Sequence, residues 1–148
     1  MKADLPTREP EFIKNWKTQK TYHKMVNAAQ TGQFTFADGP PYANGGIHMG
    51  HTLNKCLKDF TVKYQNLKGN KAPFYPGWDC HGLPIEHKVL KDLGDKKDVS
   101  PQQIRELCRK EALTWVAHQG EQFQRLGILS DWENPYLTLH PSYEAEEV

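Results

Sequence analysis

The stretch Asp38-Gly-Pro-Pro-Tyr-Ala-Asn-Gly-Gly-Ile-His-Met-Gly-His51 limits the possible folds of this chain more than any other. Between Asp38 and Gly46 it carries three glycines and two prolines, a tight connection between regular elements. Before it, Phe34-Thr-Phe-Ala37 is rich in aromatic and β-branched residues and reads as a short strand. After it, Met49, Leu53, Cys56, Leu57, Phe60, Tyr64 and Leu67 recur at helical spacing, so a helix is predicted from about Ile47 to Lys68. Gly69 is suited to the residue just past its end. Ala72 to Tyr75 reads as a second short strand, broken by Pro76 and Gly77. Strand, glycine loop, helix and strand make a parallel βαβ unit, and the fold class is α/β. The loop then lies at the carboxyl end of the first strand, where open α/β sheets bind ligands.

The flanks read as helical. Residues 9 to 29 are predicted as a first helix, with Pro10 in its opening turn and Phe12, Ile13, Trp16 and Met25 on its apolar side. Pro84 opens a short helix ending near Gly94, and Asp92 to Asp98 is a solvated charged turn. Ser100-Pro-Gln-Gln103 is a helix start with Ser as cap, Pro at the first position and Gln at the third. That helix is predicted to reach about Leu126, burying Ile104, Leu107, Cys108, Trp115, Phe123 and Leu126, and to end at Gly127. A further strand is possible at Tyr136 to Leu139.

Chemistry concentrates in two loops. At a helix start the first N–H groups lack partners and the dipole is positive, so anions bind there. His48 and His51 are three residues apart and project from one side of that first turn. Their ring N–H groups can donate to phosphate oxygens as charge builds in a transition state. Gly50, without a side chain, lets a flat base or ribose approach the backbone. The bland alternative is two surface histidines, which the preceding strand and loop glycines make the weaker reading.

The second loop is Gly77-Trp-Asp-Cys-His-Gly-Leu-Pro84. Asp79 is its sole carboxylate and can hold an ammonium group by charge-assisted hydrogen bonds; a turn or capping role is the alternative. Cys80 reads as a small buried residue rather than a nucleophile. His81 and His87 lack a third metal ligand at suitable spacing. The lysines Lys55, Lys58, Lys63, Lys68 and Lys71 read as a solvated face.

With a net charge of +1, bulk basicity gives no argument for nucleic acid. Cys56, Cys80 and Cys108 are odd in number and far apart, against a disulfide framework or structural zinc. A reducing, cytoplasmic location fits, and no apolar run is long enough for a membrane span.

Taken together, Asp38-Gly-Pro-Pro-Tyr-Ala-Asn-Gly, the His48-Met-Gly-His tetrad, Leu53-Asn-Lys55 and Gly77-Trp-Asp-Cys-His-Gly-Leu-Pro-Ile-Glu86 closely resemble the isoleucyl-tRNA synthetase family of class I aminoacyl-tRNA synthetases. Arg8-Glu-Pro-Glu11 and Phe123-Gln-Arg-Leu-Gly-Ile128 are similar too, so the resemblance runs from about residue 8 to the end. It implies the first half of a Rossmann-type nucleotide-binding domain with flanking helices. The enzyme implied makes isoleucyl-AMP from isoleucine and ATP with Mg2+, then acylates tRNA(Ile). By motif, His48 and His51 would be catalytic, and with Asn44, Gly46 and Gly50 would bind ATP. Gly39, Pro40 and Asp79 would bind the amino acid, Asp79 through its ammonium. No protein-bound metal and no membrane partner are implied, and the full-length enzyme would be a monomer. Met49 stands where the family tetrad usually has isoleucine. Its position is expected to point into the core, where such a swap costs little.

The resemblance also sets boundaries: residues 1–30 as an amino-terminal helical extension, and 31–148 as the first half of the catalytic domain, ending near an editing insertion. Nothing here resembles the family's Lys-Met-Ser-Lys-Ser motif. The chain is therefore expected to be a piece of a longer enzyme and weak or inactive alone. Two rivals are a small H-x-G-H nucleotidyltransferase complete at this length, and a fragment that binds ATP or a partner without turnover.

Overall fold

The computed structural model describes residues 3–28, 31–94 and 99–146. In chain order the elements are α1 (Leu5–Thr18), α2 (Thr21–Val26), β1 (Gly32–Gln33), α3 (Met49–Leu67), β2 (Asn70–Lys71), β3 (Gly77–Trp78), α4 (Leu83–Leu93), α5 (Pro101–Arg125), β4 (Tyr136–Leu137) and α6 (Pro141–Glu146). β1 pairs in parallel with β2, Gly32 opposite Asn70, and α3 is the crossover between them. This is the βαβ unit expected from the sequence. A second parallel pair joins β3 to β4, Gly77 opposite Tyr136 and Trp78 opposite Leu137. Helices α4 and α5 fill the connection between them and pack on each other.

Local signals set both ends of α5. Ser100 Oγ accepts the Gln103 N–H at 3.2 Å, and Gln103 Oε1 accepts the Ser100 N–H at 2.8 Å, a reciprocal cap that fixes the start of α5. Gly127, at φ 79, follows its end in the left-handed conformation that a side chain disfavours. On α5 the fully buried residues are Ala112, Gln119, Gly120 and Phe123; Leu107 and Leu126, expected inside, are exposed.

The strands are displaced from their expected positions. Pairing begins at Gly32, ahead of Phe34, whose N–H still donates to the Lys71 carbonyl at 2.9 Å. Asn70–Lys71 forms the second strand instead of Ala72 to Tyr75. Gly77, expected with Pro76 as a break, instead begins a strand of its own, Gly77–Trp78. Two-residue strands carry too little pattern to be placed by composition; cross-chain pairing decides them.

The predicted helix over 9–29 is two helices, with Lys20 at φ 51 between them, and residue 29 lies outside the described residues. Because α1 begins at Leu5, Pro6 occupies its first turn and Pro10 lies inside the helix. Of the charged turn expected at Asp92 to Asp98, residues 95–98 lie outside the described residues; α4 runs through Asp92 and closes on Gly94.

The largest correction concerns α3. Its apolar residues face away from the body: Met49 is 79% exposed, and Leu53, Leu57, Phe60, Tyr64 and Leu67 are exposed as well. Met49 therefore does not point into the core. Lys55, Asp59, Val62 and Asn66 are buried instead. Each inward polar group is matched. Lys55 pairs with Asp38, and Asp59 pairs with Lys63 and accepts the Leu129 N–H at 2.9 Å. Asn66 Nδ2 donates to the carbonyls of Val62 and Ala72. Lys55, Lys58 and Lys63 are thus ion-paired and not a solvated face.

The core lies between α3, α5 and the strands, built on Val62, Ala72, Phe74, Trp78, Ile85 and Phe123. It holds the two predicted loops against each other.

Candidate active site

His48 is the cap residue of α3, in extended conformation, and its Nδ1 accepts the Gly50 N–H at 3.1 Å. His51 Nδ1 in turn accepts the His48 N–H at 3.4 Å. Each histidine therefore spends Nδ1 on the helix start, and in the neutral ring the proton sits on Nε2. The rings stack with centroids 3.9 Å apart at 22°. Burial, then the nearby His48 and Lys55, push the His51 imidazole below its ordinary value, which keeps the ring neutral at pH 7. Two Nε2–H donors at a helix amino terminus are suited to an anion with several acceptor oxygens.

Gly50 has a local role beyond admitting a ligand. A Cβ there would meet His48 Cε1 at 2.9 Å and Nδ1 at 3.0 Å, so the His48 ring folds back onto the helix because Gly50 leaves room for it.

The glycine loop lies beside the Asp79 loop. Asp79 N–H donates to the Pro41 carbonyl at 2.8 Å, Ala43 N–H donates to the Asp79 carbonyl at 2.9 Å, and Tyr42 and Asp79 form a parallel bridge. Asp79 is half-buried. Its Oδ1 accepts the His81 N–H at 3.2 Å, which is the turn role weighed from the sequence; Oδ2 has no partner among the described residues and can take an ammonium. Cys80 is buried, and burial pushes its thiol up to about 11, so it is no thiolate nucleophile at neutral pH. Asn44 and Gly46 are exposed on the loop, and Pro40 is half-buried.

Asp38 ties the loop's beginning to three other elements. Its buried carboxylate pairs with Lys55 and, at 2.6 Å, with Lys58, and accepts the Gly77 N–H at 3.2 Å. Its backbone carbonyl accepts the Tyr136 hydroxyl. Lys58 Nζ also reaches the Gly39 carbonyl at 3.5 Å.

Sequence reasoning did not find the contribution of α5. Gln119, 1% exposed, donates through Nε2 to the carbonyls of Tyr42 at 3.0 Å and Gly45 at 2.6 Å. Its Oε1 accepts the Trp78 indole N–H at 2.9 Å. Gln122 Oε1 accepts the Ile47 N–H at 2.9 Å. Phe123 lies edge-on to His51, and against Trp78. The available signal was a glutamine at 119 midway between Trp115 and Phe123 on the inward stripe, a polar side chain where burial demands partners. The structure thus links the glycine loop, the histidine turn and the Asp79 loop through shared partners on α5. Among the described residues neither histidine contacts Asp79 directly. Among the described residues no cluster of three or more histidine, cysteine or acidic side chains can hold a metal.

Comparison with known proteins gives a consistent picture. The family model described as tRNA synthetases class I (I, L, M and V) matches residues 11–148. The isoleucine–tRNA ligase of a Sulfurihydrogenibium species is 53% identical over all of this chain and 16% of its own length. Those of Persephonella marina and Thermoanaerobacter pseudethanolicus are 52% and 51% identical, again over all of this chain and 16% of the relative. The chain thus spans 16% of the length of these curated relatives. Among solved structures, the ternary LeuRS–tRNA–LeuAMS complex of Agrobacterium radiobacter superposes with a TM-score of 0.74 at 21% identity, covering 96% of this chain and 16% of that one, which shows a shared fold.

Proposed function

This chain belongs to the class I tRNA synthetases of the isoleucine, leucine, methionine and valine group, and from that premise we propose that it carries the ATP and amino-acid subsites of an isoleucine–tRNA ligase. The reaction is attack of the isoleucine carboxylate oxygen on the α-phosphorus of ATP. The bond to the pyrophosphate leaving group breaks, and isoleucyl-AMP forms. The isoleucyl group then passes to tRNA(Ile). Residues 31–148 act as the first half of a Rossmann-type catalytic domain, and residues 1–30 as a helical extension.

The single observation that supports this reading best is the pair of histidines whose Nδ1 atoms are both committed to the start of α3. Nε2–H of His48 and of His51 donates to the phosphate oxygens where charge grows. No covalent nucleophile from the protein is required, since positioning and charge stabilisation carry this class of transfer. Asn44, Gly46 and Gly50 line the nucleotide side. Gly39 and Pro40 line the amino-acid side, and Asp79 Oδ2 takes the α-ammonium. Mg2+ arrives with ATP as part of the substrate.

The test is Mg-ATP binding by calorimetry together with isoleucine-dependent ATP–pyrophosphate exchange, comparing the chain with its His48→Ala/His51→Ala variant. The expected result is saturable ATP binding and slow exchange favouring isoleucine over valine and leucine, both lost in the variant. ATP binding that survives in the variant, or is absent from the unaltered chain, overturns the reading.

A further inference from the structure

We propose that Gln119 and Gln122 of α5 are positioning residues that set the glycine loop in register with both subsites, an inference that rests on the function proposed above. The loop from Tyr42 to Ile47 has little structure of its own. Two of its six residues are glycine, two prolines precede it, and its tip is exposed. Its backbone is tied down from outside, and two of the ties come from consecutive turns of one helix. Gln119 takes the carbonyls of Tyr42 and Gly45 on one amide nitrogen. Gln122, three residues on, takes the N–H of Ile47, the residue just before the His48 cap.

Gln119 also joins the two loops. With its oxygen it holds the indole of Trp78, whose chain neighbour is Asp79. One buried amide therefore fixes the glycine loop and the residue preceding the ammonium-binding carboxylate. Neither group can shift against the other without leaving a buried donor or acceptor unpaired. Gln122 acts on the other end. A carbon at the Gly46 Cβ position would sit 3.6 Å from Gln122 Nε2, so this side chain lies flat along the loop where it turns into the histidine cap. A rigid helix, and not the loop's own conformational preference, fixes the loop geometry.

Gln122 allows a clean test because its role is that of an acceptor. Glutamate at 122 keeps an oxygen for the Ile47 N–H, whereas methionine has similar length and only a weakly accepting thioether sulfur. The experiment measures, for the 148-residue chain and its Gln122→Met and Gln122→Glu variants, amide hydrogen exchange at residues 43–48 and the dissociation constant for Mg-ATP. Gln122→Met is expected to lose protection at Ile47 and its loop neighbours and to weaken Mg-ATP binding by about tenfold, the worth of one hydrogen bond. Gln122→Glu is expected to keep both within about twofold. Gln119→Met serves as the second variant: it should weaken Mg-ATP binding and isoleucine binding together, where Gln122→Met touches ATP alone. Unchanged Mg-ATP affinity in Gln122→Met despite lost loop protection, or failure of Gln122→Glu to restore it, overturns the proposal and leaves the ATP site standing. Absence of Mg-ATP binding in the unaltered chain removes the ATP site and this proposal with it.

Discussion

Lys55 on the inward face of α3 is ion-paired with Asp38, and neither side chain reaches solvent: they are 4% and 0% exposed. Burial lowers the Lys55 pKa and the Asp38 carboxylate pulls it back up. The same carboxylate holds Lys58 and the Gly77 N–H, so it joins the glycine loop, α3 and β3 at one point. Removing either partner of a buried pair strands the other charge, at about 3–5 kcal/mol. Asp38→Asn should lower the unfolding free energy measured in urea by that amount and Lys55→Met by less, because Asp38 keeps Lys58, while the double variant loses clearly less than their sum. Additive losses would show that the two residues act independently.

Acid should loosen the start of α3. The folded pKa of His51 lies below 6.5, so between that folded value and 6.5 the unfolded chain binds more protons than the folded one. This contribution to stability is fully present above pH 6.5 and is lost as pH falls through the folded value. Unfolding midpoints measured from pH 7.5 to 5 should decline. In His51→Gln, which keeps an acceptor for the His48 N–H without titrating, the decline should be shallower.

Gly77 has a steric reason for being glycine. A Cβ at this position would fall inside the ring of Tyr136, whose hydroxyl is anchored on the Asp38 carbonyl and so cannot swing away freely. Overpacking of this kind costs about 1–3 kcal/mol. Gly77→Ala should therefore destabilise the chain in thermal or urea unfolding, and should cost clearly less when introduced into Tyr136→Ala, where the ring is gone.

Tyr22 closes a gap beside the strands. Its hydroxyl accepts the Phe74 N–H at 3.0 Å and donates at 3.2 Å to the Phe74 carbonyl, which also accepts the Asp131 N–H at 2.9 Å. Burial pushes the phenol up to about 12. The stability it gives is complete below pH 10, the unfolded value, and falls away between pH 10 and about 12. Tyr22→Phe should cost about 1–3 kcal/mol at neutral pH by leaving the buried Phe74 N–H unpaired, the Phe74 carbonyl keeping the Asp131 N–H, and should remove that alkaline decline.

Features that depend on a few neighbouring residues were legible in the chain alone. The Ser100–Gln103 cap, the start of α3 at the His48 tetrad, Gly69, Gly94 and Gly127 as helix terminators and the βαβ order are all local, because a cap or a left-handed glycine is satisfied within one turn. The tertiary structure alone decided which residues form strands and which face of α3 turns inward. Seen along the chain, Met49, Leu53, Leu57, Phe60, Tyr64 and Leu67 make a convincing core stripe, yet they are the exposed one. The opposite face goes inside because its polar groups meet partners brought by folding: Asp38, 17 residues before Lys55, and the Leu129 N–H, 70 residues after Asp59. The hold of Gln119 on Tyr42 and Gly45 spans 77 and 74 residues. A polar side chain is stable inside only where its partner also arrives, and hydrophobic periodicity contains no information about that meeting.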